Sequence, residues 1–257
     1  MDSEILSGGS MNQVEKIGDT VHKTTKGNSM MVREYLLYLE QEGMTGVPRF
    51  LGVDEQGREM FSYLPGKTMG PDYPADHPCL HSDKAACDMA QFMRRLHDVS
   101  EGFLPRAIEA GWVNPYFPHG PYETICHGDA AIWNFVFVNE RLSGLFDFDQ
   151  AYPGTRYWDL ASTVSMAVFP FYVGYDSSKH AEKARRQIKL FFDAYGMHCP
   201  TNFIEIVVDR IQREFCEDTA ARAAAGDKEC IAMLKRGDFE HYQRFVAHIK
   251  KHGHEWV

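Results

Sequence analysis

Residues 126–134 of this chain read CHGDAAIWN and residues 146–149 read FDFD, and these two segments say most about the fold. Asp129 follows an apolar run in a short glycine-bearing loop. Asn134 comes five residues later, and Asp147 ends a second apolar run thirteen residues beyond it. A lone aspartate after a strand is usually a turn or capping residue. The fixed spacing to Asn134 and Asp147 favours a chemical role for Asp129 instead.

These residue types suit the transfer of a phosphoryl group from a nucleotide. Magnesium ions that bridge phosphates need hard oxygen ligands, and a carboxylate must accept or orient the proton of the attacking hydroxyl. Asp129 is a candidate for that base. Asn134 offers a neutral oxygen and Asp147 a charged one, which suits holding two metal ions without excess negative charge. The order of base, asparagine and metal-binding aspartate is that of a kinase catalytic loop.

The first 65 or so residues are predicted to form a small, mostly antiparallel sheet with one helix laid on it. Alternating apolar and polar residues indicate strands, and apolar residues at three- and four-residue spacing indicate the helix. The strands are predicted over 14–17, 20–25, 49–53 and 58–64, and the helix from residue 30 to about 42.

The remainder of the chain is predicted to be mainly helical. A helix is indicated from residue 82 to near His97, and most of the sequence after Tyr157 has helical character. The stretch 102–122, rich in glycine, proline and aromatic residues, is predicted to be an ordered loop. Short strands are predicted over 124–126, 135–138 and 142–148. A break at Pro65-Gly66 favours two lobes, residues 1–66 and 67–257, over two independent domains.

The composition is that of an ordinary globular protein, with 44% apolar and 25% charged residues. No stretch approaches the ~18 consecutive apolar residues of a membrane span, and the acidic N-terminus does not resemble a secretory signal. The six cysteines form no C-x-x-C pair and are interpreted as reduced thiols. We therefore predict a cytoplasmic protein without a membrane partner.

The net charge of −9 disfavours nucleic acid as a partner, because such a surface repels phosphate backbones. It is compatible with a cationic substrate, although many acidic proteins owe their charge to solubility alone. Acidic residues between Glu205 and Asp218 share helix faces. They are interpreted either as a solvated face or as the lining of a pocket for an amine-bearing molecule.

The two segments resemble the signature of the aminoglycoside phosphotransferase and choline kinase-like superfamily, H-G-D-x-x-x-x-N followed by D-x-D. The resemblance extends to about residue 200. It implies an α+β, two-lobed protein-kinase-like fold, with a small N-lobe antiparallel sheet carrying one helix and a mainly helical C-lobe, and a nucleotide between them. Ile132 stands where many relatives carry proline, which we expect to change loop packing rather than chemistry. The matching positions are His127-Gly128-Asp129, Asn134, Asp147-Phe148-Asp149, and residues 6–9, 21–23, 61–66 and 153–161.

The resemblance also implies roles for individual residues. Asp129 would be the catalytic base, with Asn134 and Asp147 as metal ligands, and Asp149 either holds a second metal ion or supports the first. The nucleotide-binding residues would be Lys23 at the α- and β-phosphates, Gly8, Gly9 and Ser10 near the phosphates, Ser62, Tyr63 and Leu64 as the hinge beside adenine, and Glu34 as the partner of Lys23.

Some of these residue roles have alternative candidates. Lys26 could replace Lys23, and Glu40 or Glu42 could replace Glu34. His127 is interpreted as a structural residue that hydrogen-bonds the backbone of its own turn. Asp159 is interpreted as a helix cap or a buried backbone anchor rather than a ligand.

The predicted function is therefore an ATP- and Mg²⁺-dependent kinase of a small-molecule hydroxyl, with GTP open as an alternative nucleotide. The acceptor could be aminoglycoside-like or another amine-bearing compound, and only the former would connect the protein with antibiotic resistance. A choline-like alcohol or a sugar is an alternative. A protein kinase is disfavoured because only ten residues separate Asp149 from Asp159, which leaves no room for a long activation segment.

Two other classes are weighed against the kinase. A non-catalytic nucleotide-binding protein is disfavoured because base, asparagine and metal aspartate are all present. A metal-dependent hydrolase is disfavoured because the chain has no clustered ligand motif such as H-E-x-x-H. The sequence does not predict the oligomeric state.

Overall fold

The computed structural model describes residues 3–6, 14–24, 29–70, 72–117, 119–168 and 177–257. The predictions for Gly8, Gly9 and Ser10, and the alternative Lys26, lie outside the described residues.

A five-stranded antiparallel sheet forms the N-terminal part, with strand order β1-β2-β3-β5-β4. Helix α1 (Ser29–Gln41) buries Tyr35 and Leu39 in a core shared with Phe61 of the sheet. The register of β3 and β5 places Lys23 opposite Glu59. The strands are β1 (Ser3–Leu6), β2 (Val14–Ile17), β3 (Thr20–Lys23), β4 (Phe50–Val53) and β5 (Glu59–Ser62).

Two helices follow the sheet, and the second corrects a prediction. Helix α2 (Asp83–Ser100) begins where predicted, because the Ser82 hydroxyl accepts from Ala85 N at 3.0 Å and caps it. Helix α3 (Leu104–Glu109) lies inside the stretch predicted to be a loop. Pro105 stands in its first turn, where a missing N–H costs no helical hydrogen bond, so the proline starts this helix rather than breaking it.

Two short antiparallel pairs of strands position the loops that contain the aspartates. Strand β6 (Thr124–Cys126) pairs with β9 (Tyr152–Gly154), and β7 (Phe135–Val138) pairs with β8 (Arg141–Leu145). Strand β9 was not predicted, because Pro153 and Gly154 are normally strand breakers. It is tolerated here as a three-residue strand paired on one side only.

The segment after the sheet is tied to the hairpin of β7 and β8. Lys67 N donates to Phe137 O and Phe137 N to Lys67 O, both at 2.8 Å. A side chain at Gly66, where φ is +148°, would place Cβ 2.5 Å from Val136 Cγ1, so the chain passes too close for any other residue. The lobe boundary at residue 66 stays a prediction.

The C-terminal part is built from helices, which confirms the predicted α+β fold class. It contains α4 (Arg156–Thr163), a π-helical turn (Val164–Val168), α5 (Ser177–Tyr195), α6 (Phe203–Ile211), a second π-helical stretch (Gln212–Asp218), α7 (Thr219–Ala224), α8 (Lys228–Arg236) and α9 (Asp238–His252). In the part of the chain that the structure describes, no helix is long and apolar enough to cross a membrane.

Candidate active site

The loop that contains Asp129 is anchored by Asp159 of α4, whose side chain is completely buried. Asp159 Oδ2 accepts from His127 N at 2.7 Å and from His97 Nε2 at 3.0 Å, and Oδ1 accepts from Gly128 N at 3.0 Å. Burial alone would raise the pKa of Asp159, but the hydrogen bond and charge of His97 outweigh it and lower the pKa to about 2. The prediction of a buried backbone anchor is confirmed, while the cap of α4 is Thr155.

His127 has the structural role predicted for it. Its Nδ1 accepts from Asp129 N at 3.2 Å, so the proton must lie on Nε2, which donates to Phe146 O at 3.1 Å. Burial lowers the pKa of His127 and keeps the ring neutral. The imidazole therefore joins the Asp129 loop to the end of the strand before Asp147.

Asp129 and Asn134 lie in direct contact. Asn134 Nδ2 donates to Asp129 Oδ2 at 2.9 Å and to Asp129 O at 2.8 Å. Because both partners are acceptors, the amide must present its nitrogen to them, which leaves its oxygen as the group that can bind a cation. The contact joins the predicted base and a predicted metal ligand in one rigid unit.

The environment of Asp129 favours its protonated form. The side chain is half-buried, and loss of solvation, followed by the nearby charge of Asp147, raises its pKa to about 7. The hydrogen bond from Asn134 acts in the opposite direction but does not compensate. A carboxylate with a pKa near the ambient pH is a better proton acceptor than an ordinary one.

Asp147 occupies a strained position. Its φ of +67° and ψ of +65° are left-handed values that non-glycine residues rarely adopt. The next residue, Phe148, is buried and packs edge-on against His127, with ring centroids 4.5 Å apart, and against Tyr35 of α1 at 6.1 Å. The packing of Phe148 holds the backbone in the turn that presents Asp147 and Asp149 on the same side as Lys23.

Lys23 contacts both aspartates of the second segment. Its Nζ lies 3.5 Å from Asp147 Oδ1 and makes a shorter ion pair with Asp149 Oδ1. Burial alone would lower the pKa of Lys23, but Asp147 and Asp149 outweigh this effect and raise it. The structure therefore brings together three side chains predicted from distant parts of the sequence.

The predicted contact between Glu34 and Lys23 is absent from the structure. Glu34 Oε2 accepts from Arg106 Nε at 3.0 Å on the outer side of α1. The adjacent Arg33 bonds Glu59 Oε1 at 2.5 Å, beside Lys23 in the sheet. Helix α1 is rotated so that an arginine faces the sheet, and the acidic partners of Lys23 come from the Asp147 loop instead.

The predicted hinge residues use part of their backbone within the protein. Ser62 N donates to Arg49 O and Tyr63 N donates to Asp19 O, each at 2.9 Å. A hinge contact to adenine would therefore use the carbonyls of this segment or Leu64, not these two N–H groups.

The oxygen groups at this site fit magnesium. Asn134, Asp147 and Asp149 supply the carboxylate and amide oxygens that Mg²⁺ prefers. Among the described residues no cluster of three or more histidine, cysteine or acidic side chains forms a ready-made metal site. Magnesium sites usually take one or two carboxylates, which Asp147 and Asp149 could supply, and complete their coordination with substrate phosphates and water.

Gly128 is the tightest point of the site and gives a first prediction. Its φ is +82°, and an added Cβ would lie 2.0 Å from Gln150 O. We expect Gly128→Ala to lose roughly 1–3 kcal/mol of unfolding free energy from backbone strain. The steric overlap of the new Cβ with Gln150 O would push the Asp129 and Asp149 loops apart and add to this loss. The matched control is Gly57→Ala, which has φ +77° but open space around its Cβ. Equal losses in thermal unfolding for the two variants would contradict the close contact.

The comparisons with known proteins agree with this geometry. Residues 101–191 match the model of the phosphotransferase enzyme family. The resemblance inferred from the sequence is confirmed. The trifolitoxin immunity protein of Rhizobium leguminosarum bv. trifolii is 28% identical over 208 residues, covering 77% of this chain and 76% of its own length.

The solved structures show the fold. The gentamicin complex of APH(2'')-IIa is 15% identical, covers 100% of this chain and 93% of its own, and superposes with a TM-score of 0.60. The GDP complex of wild-type aminoglycoside 2'-phosphotransferase-IIIa is also 15% identical, with a TM-score of 0.60 and coverages of 96% and 93%. The chain thus has the fold of these aminoglycoside phosphotransferases.

Sequence reasoning did not find every residue that supports the site. Arg210 donates to Gly128 O at 2.6 Å from α6, and it was not singled out. His97 was noted only as the end of a predicted helix. A single buried arginine or histidine, far along the chain from the residue it bonds, gives no local pattern that could have marked either residue.

Proposed function

We propose that this protein is an ATP- and Mg²⁺-dependent kinase that phosphorylates a hydroxyl group of a small molecule. The N-lobe, residues 1–66, would bind the nucleotide and the C-lobe, residues 67–257, would carry the catalytic loop and bind the acceptor. The observation that supports this most directly is the Asp129–Asn134 unit facing the Lys23–Asp147–Asp149 cluster.

The residues present can perform each step that the reaction requires. Asp129 would accept the proton of the acceptor hydroxyl, and Asn134 would keep its carboxylate oriented. Lys23 would pair with nucleotide phosphates, which would release Asp147 and Asp149 from their ion pairs. Bound magnesium would neutralise the charge that develops on the transferred phosphoryl group.

The ion pairs of the acidic residues between 205 and 218 bear on whether the acceptor carries an amine. Several of the acids predicted to line a cationic pocket are already paired. Asp209 bonds Arg213 at 2.8 Å, Asp218 lies 3.6 Å from Arg222, and Glu214 is buried against Arg210. The proposal therefore covers neutral hydroxyl compounds as well as amine-bearing ones.

The test is ADP formation from Mg·ATP with a panel of acceptors. It would contain aminoglycosides, other hydroxylated antibiotics, choline, ethanolamine, homoserine and simple sugars. The immunity function named for the 28%-identical relative gives toxic compounds a place in the panel. We expect acceptor-dependent ADP that is lost in Asp129→Asn. Measurable Mg·ATP binding with no ADP from any acceptor would favour a nucleotide-binding protein without chemistry.

The metal role of Asp147 gives a second prediction. Asp147→Ala is expected to abolish the part of ATP affinity that depends on Mg²⁺, because one of two anionic ligands is lost, while affinity for ATP without the metal is retained. Calorimetry with and without Mg²⁺ measures both. Asp193→Ala, which removes an exposed acid paired with Lys189 on α5, is the control. Unchanged Mg²⁺-dependent binding in Asp147→Ala would refute the assignment.

A further inference from the structure

Arg210 is a buried cation bonded to the loop that contains Asp129. Its side chain is 1% exposed and lies on α6, 82 residues along the chain from the loop. Nη2 donates to Gly128 O at 2.6 Å and Nη1 donates to Trp158 O at 2.7 Å. One guanidinium therefore bonds the residue before Asp129 and the residue before its anchor, Asp159.

A small network of side chains holds Arg210 in place. Glu214, one turn further along the helix, pairs with Nη2 at 2.8 Å. Glu214 Oε1 accepts from Trp158 Nε1 at 3.2 Å and from the Tyr152 hydroxyl. The guanidinium also lies 5.6 Å from the Trp158 ring centroid. These contacts leave the Arg210 side chain a single position.

The bond to Gly128 O fixes one particular peptide plane. The peptide between Gly128 and Asp129 has its carbonyl on Arg210 and its N–H on His127 Nδ1. A planar peptide bonded on both sides cannot rotate about its flanking bonds. The direction in which Asp129 projects its carboxylate is therefore set from both ends of this plane.

A gain in stability does not by itself explain why a charged residue is buried at position 210. A buried ion pair is usually no more stable than apolar side chains of the same size. Arg210 Nε is moreover buried without a hydrogen-bond partner among the described residues, so the guanidinium is desolvated without full compensation. The feature that apolar residues could not supply is the donor to Gly128 O.

We propose that Arg210 is a positioning residue that orients Asp129 through the Gly128 carbonyl, with Glu214 fixing Arg210. The inference rests on the proposed kinase function for its effect on turnover, since Asp129 is the base there. It gives the C-terminal helices a second task beside acceptor binding, because α6 sets the geometry of the catalytic loop.

The test uses the double variant Arg210→Met/Glu214→Gln, which leaves no unpaired buried charge. Gln at position 214 keeps an acceptor for Trp158 and Tyr152. Arg213→Met is the matched control, because Arg213 lies on the adjoining helical stretch and, among the described residues, pairs with the exposed Asp209 and lies over the Phe117 ring, with no bond to the Asp129 loop. Arg210→Lys tests rescue, since lysine retains a donor of the same charge.

Two measurements are made on each full-length protein. The first is the rate of ADP formation from Mg·ATP, measured with the acceptor that stimulates it or with water as the acceptor. The rate is divided by the number of nucleotide-binding sites, which calorimetry counts. We expect it to fall by about 10–100-fold in the double variant, with unchanged Mg·ATP affinity and partial recovery in Arg210→Lys. The second is amide hydrogen exchange of peptides over 124–134, which we expect to quicken in the double variant alone.

The outcomes separate this inference from the kinase proposal. Wild-type turnover per site, or wild-type exchange over 124–134, in the double variant would overturn the role of Arg210. Reduced turnover together with weaker Mg·ATP binding and faster exchange throughout the chain would also overturn it, since it indicates general destabilisation. If the wild-type protein turns over no ATP at all, the kinase proposal fails, and the exchange measurement still decides whether Arg210 holds the loop.

Discussion

Replacing Asp129 with asparagine is expected to lower turnover by about 10²–10⁴ while leaving Mg·ATP affinity intact. The variant keeps an oxygen for the Asn134 amide, so the contact at 2.9 Å can be retained, but it cannot accept the proton of the acceptor hydroxyl. Steady-state ADP formation and calorimetry measure the two quantities. Normal turnover in the purified variant would show that another group is the base.

The same substitution is expected to stabilise the metal-free protein at neutral pH. The folded pKa of Asp129, about 7, lies above the ordinary carboxyl value of 3.8, so the folded state holds a proton that the unfolded state loses. The contribution of Asp129 to the unfolding free energy of the wild-type protein therefore falls as pH rises from about 4 to 7. An asparagine has no proton to lose, so the variant lacks this dependence. We expect a gain on the order of 1–4 kcal/mol above pH 7, towards the lower end because the side chain is only half-buried.

Thermal unfolding without Mg²⁺ between pH 4 and pH 8 tests this sign. The difference between Asp129→Asn and the wild-type protein should be near zero at pH 4 and grow as pH rises. A difference that is constant with pH, or that favours the wild-type protein at pH 8, would show that Asp129 is ionised at neutral pH without cost.

The largest loss of stability is expected for Asp159→Asn. Asp159 accepts from two backbone N–H groups and from His97, and asparagine would present an NH₂ group to at least one of these donors. Leaving buried polar groups unpaired in this way costs roughly 3–5 kcal/mol. For a chain of this size that lowers the unfolding temperature by about 6–20 °C.

The pH dependence of this loss has a definite sign. The folded pKa of Asp159, about 2, lies below the unfolded value, so its contribution is present above pH 4 and disappears as pH falls towards 2. The difference in unfolding free energy between the wild-type protein and Asp159→Asn should therefore become smaller in acid. Asp98→Asn is the control, because Asp98 bonds Arg94 and Arg156 at the surface and should contribute no more than about 1 kcal/mol. Similar losses in the two variants would contradict the anchor role.

The local elements were largely predictable from the sequence. Alternation and helical spacing are short-range patterns, so strands β2 to β5, α1 and α2 were found close to their observed bounds, whereas β1 was not predicted. The misses have local causes as well. Pro105 stands in the first turn of α3, and Pro153-Gly154 is accommodated in β9, because the penalty of a proline depends on whether its missing N–H was needed there.

The partner of Lys23 shows where local patterns stop being informative. Arg33 and Glu34 are neighbours on α1, and either could face the sheet as far as spacing is concerned. The packing of Tyr35 and Leu39 rotates the helix so that Arg33 reaches Glu59 and Glu34 reaches Arg106. A change of one residue in the buried face of a helix turns a side chain by about 100°, and only the assembled core fixes that angle.

The sequence by itself determined which groups could perform chemistry here. Asp129, Asn134, Asp147 and Asp149 lie within one short stretch, and the suitability of oxygen ligands and a base depends on residue type and spacing. The tertiary structure decided how these groups are held and charged. Asp159 and Arg210 bond Gly128 of the loop from 31 and 82 residues away, and His97 bonds Asp159 from 62 residues away. Desolvation and ion pairing depend on which distant elements pack together, and no local pattern records that packing.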